Sequence, residues 1–324
     1  MPRKPRLNVP GTVAHVMSRC LKSETLFHDD SDRQVFLDIL SRNLTQTGYR
    51  CYAWALMTNH FHLVVRSSDR DLWELMKPLN AAFANYHKNR HHRDGPLFRD
   101  RYKSILTQDQ NYIGELVRYV HLNPVRAGIC KTLAALERYR WTGHHVLMGN
   151  GDRCFQDTSA VLKRFGETPD KARKGYREFC VEGLENKGNG DELVRLVRKS
   201  NAGIEAGRKA NCWVIGDQAF VRGVLAKADE SRLRISRFEK DGGDLAGLAV
   251  KISRKFGIEA MDLQRRSRGG KGSEARKEFV RVAVREYGAP SALVAGFCGI
   301  GVAAVSAIIR SRLREQVVAE GVVD

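Results

Sequence analysis

Long apolar runs are missing from this chain. None approaches the roughly 20 residues that cross a bilayer as a helix, so no membrane partner is expected. Paired cysteines are missing too. The seven cysteines, Cys20, Cys51, Cys130, Cys154, Cys180, Cys212 and Cys298, are odd in number and scattered, with no C-x-x-C among them. That excludes a zinc knuckle or ribbon and gives no disulfide framework; free thiols in a reducing cytosol are expected. No Walker-type phosphate loop occurs, and there is no long repeat or low-complexity tract. The basic start "MPRKPRLNVPGT" has no apolar stretch behind it, which argues against a secretory signal. Acidic residues are in deficit: 37 Asp and Glu stand against 55 Lys and Arg, a formal net charge of +18. Such a surface attracts polyanions, and nucleic acid is the commonest inside a cell. The chain's 324 residues exceed one comfortable core and suggest two or three domains.

Hydrophobic periodicity predicts the order β-α-β-β-α-β-α over the first 130 residues or so. A strand is expected over Val13–Met17. A helix follows the N-cap residues Asp29 to Asp32 and stops at Gly48. "YRCYAWALM" and "HFHLVVRSS" read as strands joined at Thr58-Asn59. A helix opens after Asp71 and carries Pro78; a strand runs from about Leu97 to Leu106; a last helix, capped by Asp109, ends at Pro124. The first six elements are the ferredoxin-like order, an antiparallel sheet with helices on one face, so an α+β class is expected. Three regions are expected: a catalytic domain over 1–150, a helical connecting region over 151–245, and a compact helical domain over 246–324.

"HFHLVV" carries the first chemical signal. Residues two apart on a strand share a face, so His60 and His62 point together while Phe61 points away. Two imidazoles at that spacing suit Mn²⁺, Zn²⁺ or Mg²⁺, yet two ligands leave a metal incomplete, and H-x-H also occurs by chance at strand edges. In "YVHLN", Tyr119 and Asn123 lie one helical turn apart. Asn123 offers an amide oxygen to a hard cation, and Tyr119 a phenol that could attack phosphorus if a cation or base assists it. On the residues alone a core tyrosine and a helix-capping asparagine remain open readings. Tyr112, two turns before Tyr119, reads as structural. His121 lies off the shared face, and His91 and His92 sit in a basic stretch where solvation is expected.

Taken in order, "MTNHFHLVV", "GPLFRDRYKS" and "YVHLNPVRAG" resemble the REP-associated tyrosine transposases, single-tyrosine members of the HUH single-strand endonucleases. The resemblance covers roughly the first 130 to 145 residues. It implies that His60, His62 and Asn123 hold a divalent metal, Mg²⁺ or Mn²⁺, and that Tyr119 is the nucleophile, forming a 5′-phosphotyrosine. It implies single-stranded or hairpin DNA as substrate, palindromic repeats as the setting, and a cytoplasmic, nucleoid-associated place in a bacterium. Monomer and homodimer both stay open. A rolling-circle replication initiator and a non-catalytic DNA-binding regulator are the alternatives.

"YHKNRHHRDGPLFRDRYKS" interleaves Lys88, Arg90, Arg93, Arg99, Arg101 and Lys103 with Tyr86, Phe98 and Tyr102, a pattern suited to single strands. "MPRKPR" is a candidate flexible arm. Near the other end, "KFGIEAMDLQRRSRGGKGSEARKEFVRVAVREYG" with "SALVAGFCGIGVAAVSAIIRSRLR" resembles the duplex-binding helix-turn-helix domain of DnaA, without the initiator's histidine-threonine signature. The resemblance implies duplex DNA contact through Ser306, Arg310 and Arg312.

Overall fold

The computed structural model describes residues 11–21, 24–68, 70–108, 112–151, 153–185, 192–200, 202, 214–226, 244–264, 269–302 and 304–309. The chain divides into two compact units, Met1–Leu225 and Ala226–Asp324.

The first unit opens with β1 (Val13–Arg19), α1 (Asp30–Thr47), β2 (Arg50–Leu56), β3 (His60–Arg66), α2 (Leu72–Arg90) and β4 (Lys103–Thr107). Local chemistry fixes several ends. Asp29 caps α1 by accepting the Asp32 N–H at 3.0 Å, and Gly48 closes that helix at φ 71°, a left-handed geometry that glycine adopts without penalty. Asp71 and Glu74 form a capping box on α2. The strands order as β2-β3-β1-β4, each pair antiparallel, which is the ferredoxin-like arrangement. A fifth strand, β5 (Val214–Ile215), joins the β4 edge in parallel. Gln108 and Asp217 lock that junction, the Gln108 amide donating to the carboxylate at 2.8 Å and accepting the Asp217 N–H at 2.9 Å.

One sheet face, with Val16, Trp54, Phe61, Leu63 and Val65, packs against α1 and α2. Phe27, Phe36 and Phe83 fill the middle with ring centroids 5.2 to 5.4 Å apart. The other face is covered by α3 (Ile113–Arg126). Two boundaries differ from expectation. β4 begins at Lys103, not near Leu97; Leu97 and Tyr102 are the buried anchors of a loop, and five-residue spacing does not fit a strand's alternation. α3 runs through Pro124 to Arg126. Proline offers no N–H to the carbonyl four residues back, and the Asn123 side-chain amide donates there instead, to Val120 O at 3.4 Å and to Tyr119 O at 2.7 Å.

α3 is itself covered. α4 (Leu133–Arg138), α5 (Gly143–Leu147), α6 (Thr158–Leu162), α7 (Pro169–Glu185) and α8 (Glu192–Ser200) contribute to an outer layer over α3 and β2. Polar contacts pin it. The His121 ring bonds the Tyr176 hydroxyl at 2.8 Å, and the fully buried Trp54 indole N–H donates to Gln156 Oε1 at 2.9 Å. Gln156 in turn donates to the carbonyls of Tyr52 and Gly143 at 3.3 and 3.1 Å. The first unit thus continues past residue 150, through a helical stretch at 218–225.

The second unit contains α9 (Leu245–Phe256), a 3-10 turn (Ala260–Leu263), α10 (Gly270–Arg281) running into a π turn (Val282–Glu286), and α11 (Ser291–Phe297). Leu248, Ile252, Leu263, Phe279, Val294 and Val305 form its core. After α11 the chain turns at Gly299, φ 63°, and is helical again over 304–309. Among the described residues no helix is long and apolar enough to cross a membrane.

If residues beyond 150 are integral to the first unit, Gln156→Leu should destabilise it by about 1–3 kcal/mol, the cost of stranding a buried donor and acceptor. Urea unfolding followed by tryptophan fluorescence measures this; an unchanged midpoint would contradict the packing.

Candidate active site

The site grows from strand alternation. On β3, Phe61, Leu63 and Val65 enter the core beneath α1 and α2, so His60, His62 and Val64 face α3. On β1 the same alternation turns Val13, His15 and Met17 toward α3. The antiparallel register sets Met17 opposite His62 and Arg19 opposite His60. His15 sits diagonally from His62 and bonds to it, Nε2 to Nδ1 at 2.8 Å, with the rings nearly parallel and their centroids 5.1 Å apart. The His60 and His62 rings meet edge to face at 4.9 Å, and His60 Nδ1 is held by Asn59 Oδ1 at 2.7 Å.

α3 brings two more side chains, Tyr119 and Asn123. Tyr119, 9 % exposed, turns its ring edge-on to His15 and His62, with centroids 5.6 and 6.2 Å away. The Arg126 guanidinium lies 5.3 Å from the Tyr119 ring centroid and puts positive charge beside the phenol. One turn on, Asn123 is anchored through Nδ2 on the helix carbonyls, which leaves Oδ1 as its outward acceptor.

The donor set suits a cation. Burial holds His15 at about 3, and burial together with the Arg19 charge holds His60 at about 4. His62 is pushed well below the ordinary imidazole value, by burial first and then by its histidine and arginine neighbours. All three rings are therefore neutral near pH 7 and carry lone pairs. His62 Nε2 is buried without a hydrogen-bond partner, whereas its Nδ1 is taken by His15. If His62 Nδ1–H is the donor in that pair, Nε2 is the bare lone pair that a metal needs. His15 has no close histidine in sequence and is not found by spacing; it stands between the apolar Val13 and Met17 on its face of β1.

A basic cleft adjoins these histidines along the strand ends. Met17, Arg19, Arg99, Asp100, Arg101 and Lys103 line it. The other DNA candidates divide. Arg90 is committed to Asp29 and Asp32, and Arg93 to Glu24 and the Pro96 carbonyl. Lys88 is exposed, 4.0 Å from Asp94. Tyr102 is 7 % exposed and Phe98 half-buried, both packed into the core beside α1 and α2 rather than standing as stacking surfaces. Tyr112 precedes α3 and packs half-buried against the second core. His121 is fully buried under Tyr176. His91 is not simply solvated: it is partly buried and packs against His28 and His87. Ser306 returns its hydroxyl to the Val302 carbonyl at 3.1 Å. Arg310, Arg312 and the "MPRKPR" arm lie outside the described residues.

The family match falls within the first unit. A family model described as "Transposase IS200 like" matches residues 8–123, a little over a third of the chain. No curated protein matches. One solved structure, described as "Structure of the REP associates tyrosine transposase bound to a REP hairpin", is 12 % identical, with a TM-score of 0.40. The match covers 48 % of this chain and 98 % of that one. Residues 8–123, which hold His60, His62, Tyr119 and Asn123, are similar to the IS200-like transposases.

Proposed function

We propose that this protein is a metal-dependent, single-tyrosine DNA strand transferase acting on single-stranded or hairpin DNA. One observation supports the reading most. The phenol of Tyr119 stands against the His15–His62 pair, beside a buried imidazole nitrogen that has no partner. His60, His62 and Asn123 Oδ1 would hold the divalent ion, Mg²⁺ or Mn²⁺. When bound, such an ion neutralises charge on the scissile phosphate oxygens.

The protein's own groups do the rest. Tyr119 Oη attacks phosphorus and the P–O3′ bond breaks. A 5′-phosphotyrosine forms, and the departing 3′ oxygen takes up a proton to leave a free hydroxyl. Attack by another 3′-hydroxyl on that phosphotyrosine rejoins the strand and releases Tyr119 with its proton restored, so no nucleotide is consumed. Arg126 sits where it can steady negative charge on the phenol oxygen. Arg19, Arg99, Arg101 and Lys103 would lead the backbone in from the adjoining cleft, with Lys88 at its margin. Arg90 and Arg93 would act chiefly by bracing their loop. We assign duplex binding to the second unit, through Ser306, Arg310 and Arg312.

Incubation with labelled hairpin DNA and Mn²⁺ should yield a covalent protein–DNA adduct that Tyr119→Phe abolishes. An equal adduct from both proteins would remove Tyr119 from the chemistry. His15→Ala should raise the Mn²⁺ concentration for half-maximal adduct about 10–100-fold, as loss of a metal ligand's orienting partner does elsewhere, while saturating metal restores the rate. An unchanged metal requirement would show that His15 does not orient His62.

A further inference from the structure

A second group of histidines lies across the sheet from the first. His28 immediately precedes the α1 cap, and His87 and His91 stand one turn apart at the end of α2. Their ring centroids are 4.2 Å apart for His28–His91, 4.5 Å for His87–His91 and 5.4 Å for His28–His87. One ring nitrogen from each lies within 4.8 Å of the others. His87 is 2 % exposed, and neither of its ring nitrogens makes a well-formed hydrogen bond, although the Thr25 backbone lies close by. A buried imidazole left that way costs free energy unless something binds it.

The surroundings favour a cation. The fully buried Asp32 carboxylate meets His91 Nε2 at 3.1 Å through both oxygens. It is already occupied by the His28 N–H at 2.8 Å, by the Tyr86 hydroxyl at 3.1 Å and by Arg90, so it orients the cluster. The Arg90 charge does not oppose binding. Asp29 also pairs with Arg90, so these three groups sum to one negative charge beside three imidazoles. Burial and the neighbouring His91 lower the proton affinity of His87, which keeps its lone pair free.

We propose that His28, His87 and His91 form a Zn²⁺ site that clamps the start of α1 to the end of α2. Three imidazoles select a borderline ion, and a fourth, water-filled position completes the tetrahedron. Ligand nitrogens of a tetrahedral zinc stand about 3.4 Å apart for bonds of about 2.0–2.1 Å, so small side-chain rotations close the set. The site anchors the point where α2 gives way to the basic loop, next to His92, which holds a left-handed φ of 47°. Nothing in this assignment depends on Tyr119 or on the first histidine pair.

Co²⁺ titration of the full-length, chelator-stripped His60→Ala/His62→Ala protein tests the site with the other histidine pair removed. One equivalent should bind with the visible absorption of a tetrahedral centre, be displaced by Zn²⁺, and raise Tm. Adding His28→Ala, at an exposed position, should weaken binding by about 100-fold, at least as much as loss of an orienting partner does. His91→Gln, which keeps a donor toward Asp32, should weaken it similarly. No uptake by the double variant, or unchanged affinity in both added variants, would overturn the assignment.

Discussion

The hydrogen bond between His15 and His62 is the contact on which the site depends. Two imidazoles lie beneath a helix, where water cannot serve them, and each satisfies one nitrogen of the other. Burial keeps both neutral. When His62 Nδ1–H is the donor in this pair, the ring has the Nε2 lone pair left to offer. The rest is arranged around this pair: His60 one pleat away on β3, Tyr119 edge-on from α3, and Arg19 across the register.

Such a site needs a helix that does not shift. α3 carries both Tyr119 and Asn123, and it is held on two sides, by the sheet below and by the outer helices above. Buried polar links such as His121–Tyr176 and Trp54–Gln156 give that outer layer a specific seat rather than a merely apolar one. Residues beyond 150 therefore support the helix that carries the candidate site. Asn123 has two duties on this view. Its amide nitrogen reaches the carbonyl that Pro124 leaves unpaired, and its oxygen would serve the metal.

Where the candidate site rests on short spacing, its grouping could be read from the sequence. Spacing of two on a strand and four on a helix linked His60 to His62 and Tyr119 to Asn123, and the caps at Asp29, Gly48 and Asp71 marked helix ends. Where it rests on tertiary pairing, it could not. His15 finds its partner 47 residues away, and nothing local marks a lone histidine in a strand as paired. His87 and His91 had a legible four-residue spacing, but His28 joins them only because α1 and α2 pack side by side. The basic stretch after α2 read as one surface; folding divided it, sending Tyr102 and Phe98 inward and pairing Arg90 and Arg93 with carboxylates. β5 is two residues long and carries no sequence signal of its own. The passage of α3 through Pro124 rests on a side-chain substitute that a general rule about proline does not foresee.

On the proposed function, the face shared by β1, β3 and α3 is a metal site set against a nucleophilic tyrosine. Anomalous diffraction from crystals of the full-length protein grown with Mn²⁺ should then show a peak bounded by His60, His62 and Asn123 Oδ1, with the Tyr119 hydroxyl beside it. Saturating Mn²⁺ with no peak on that face, or with Asn123 turned away from one, would contradict that reading.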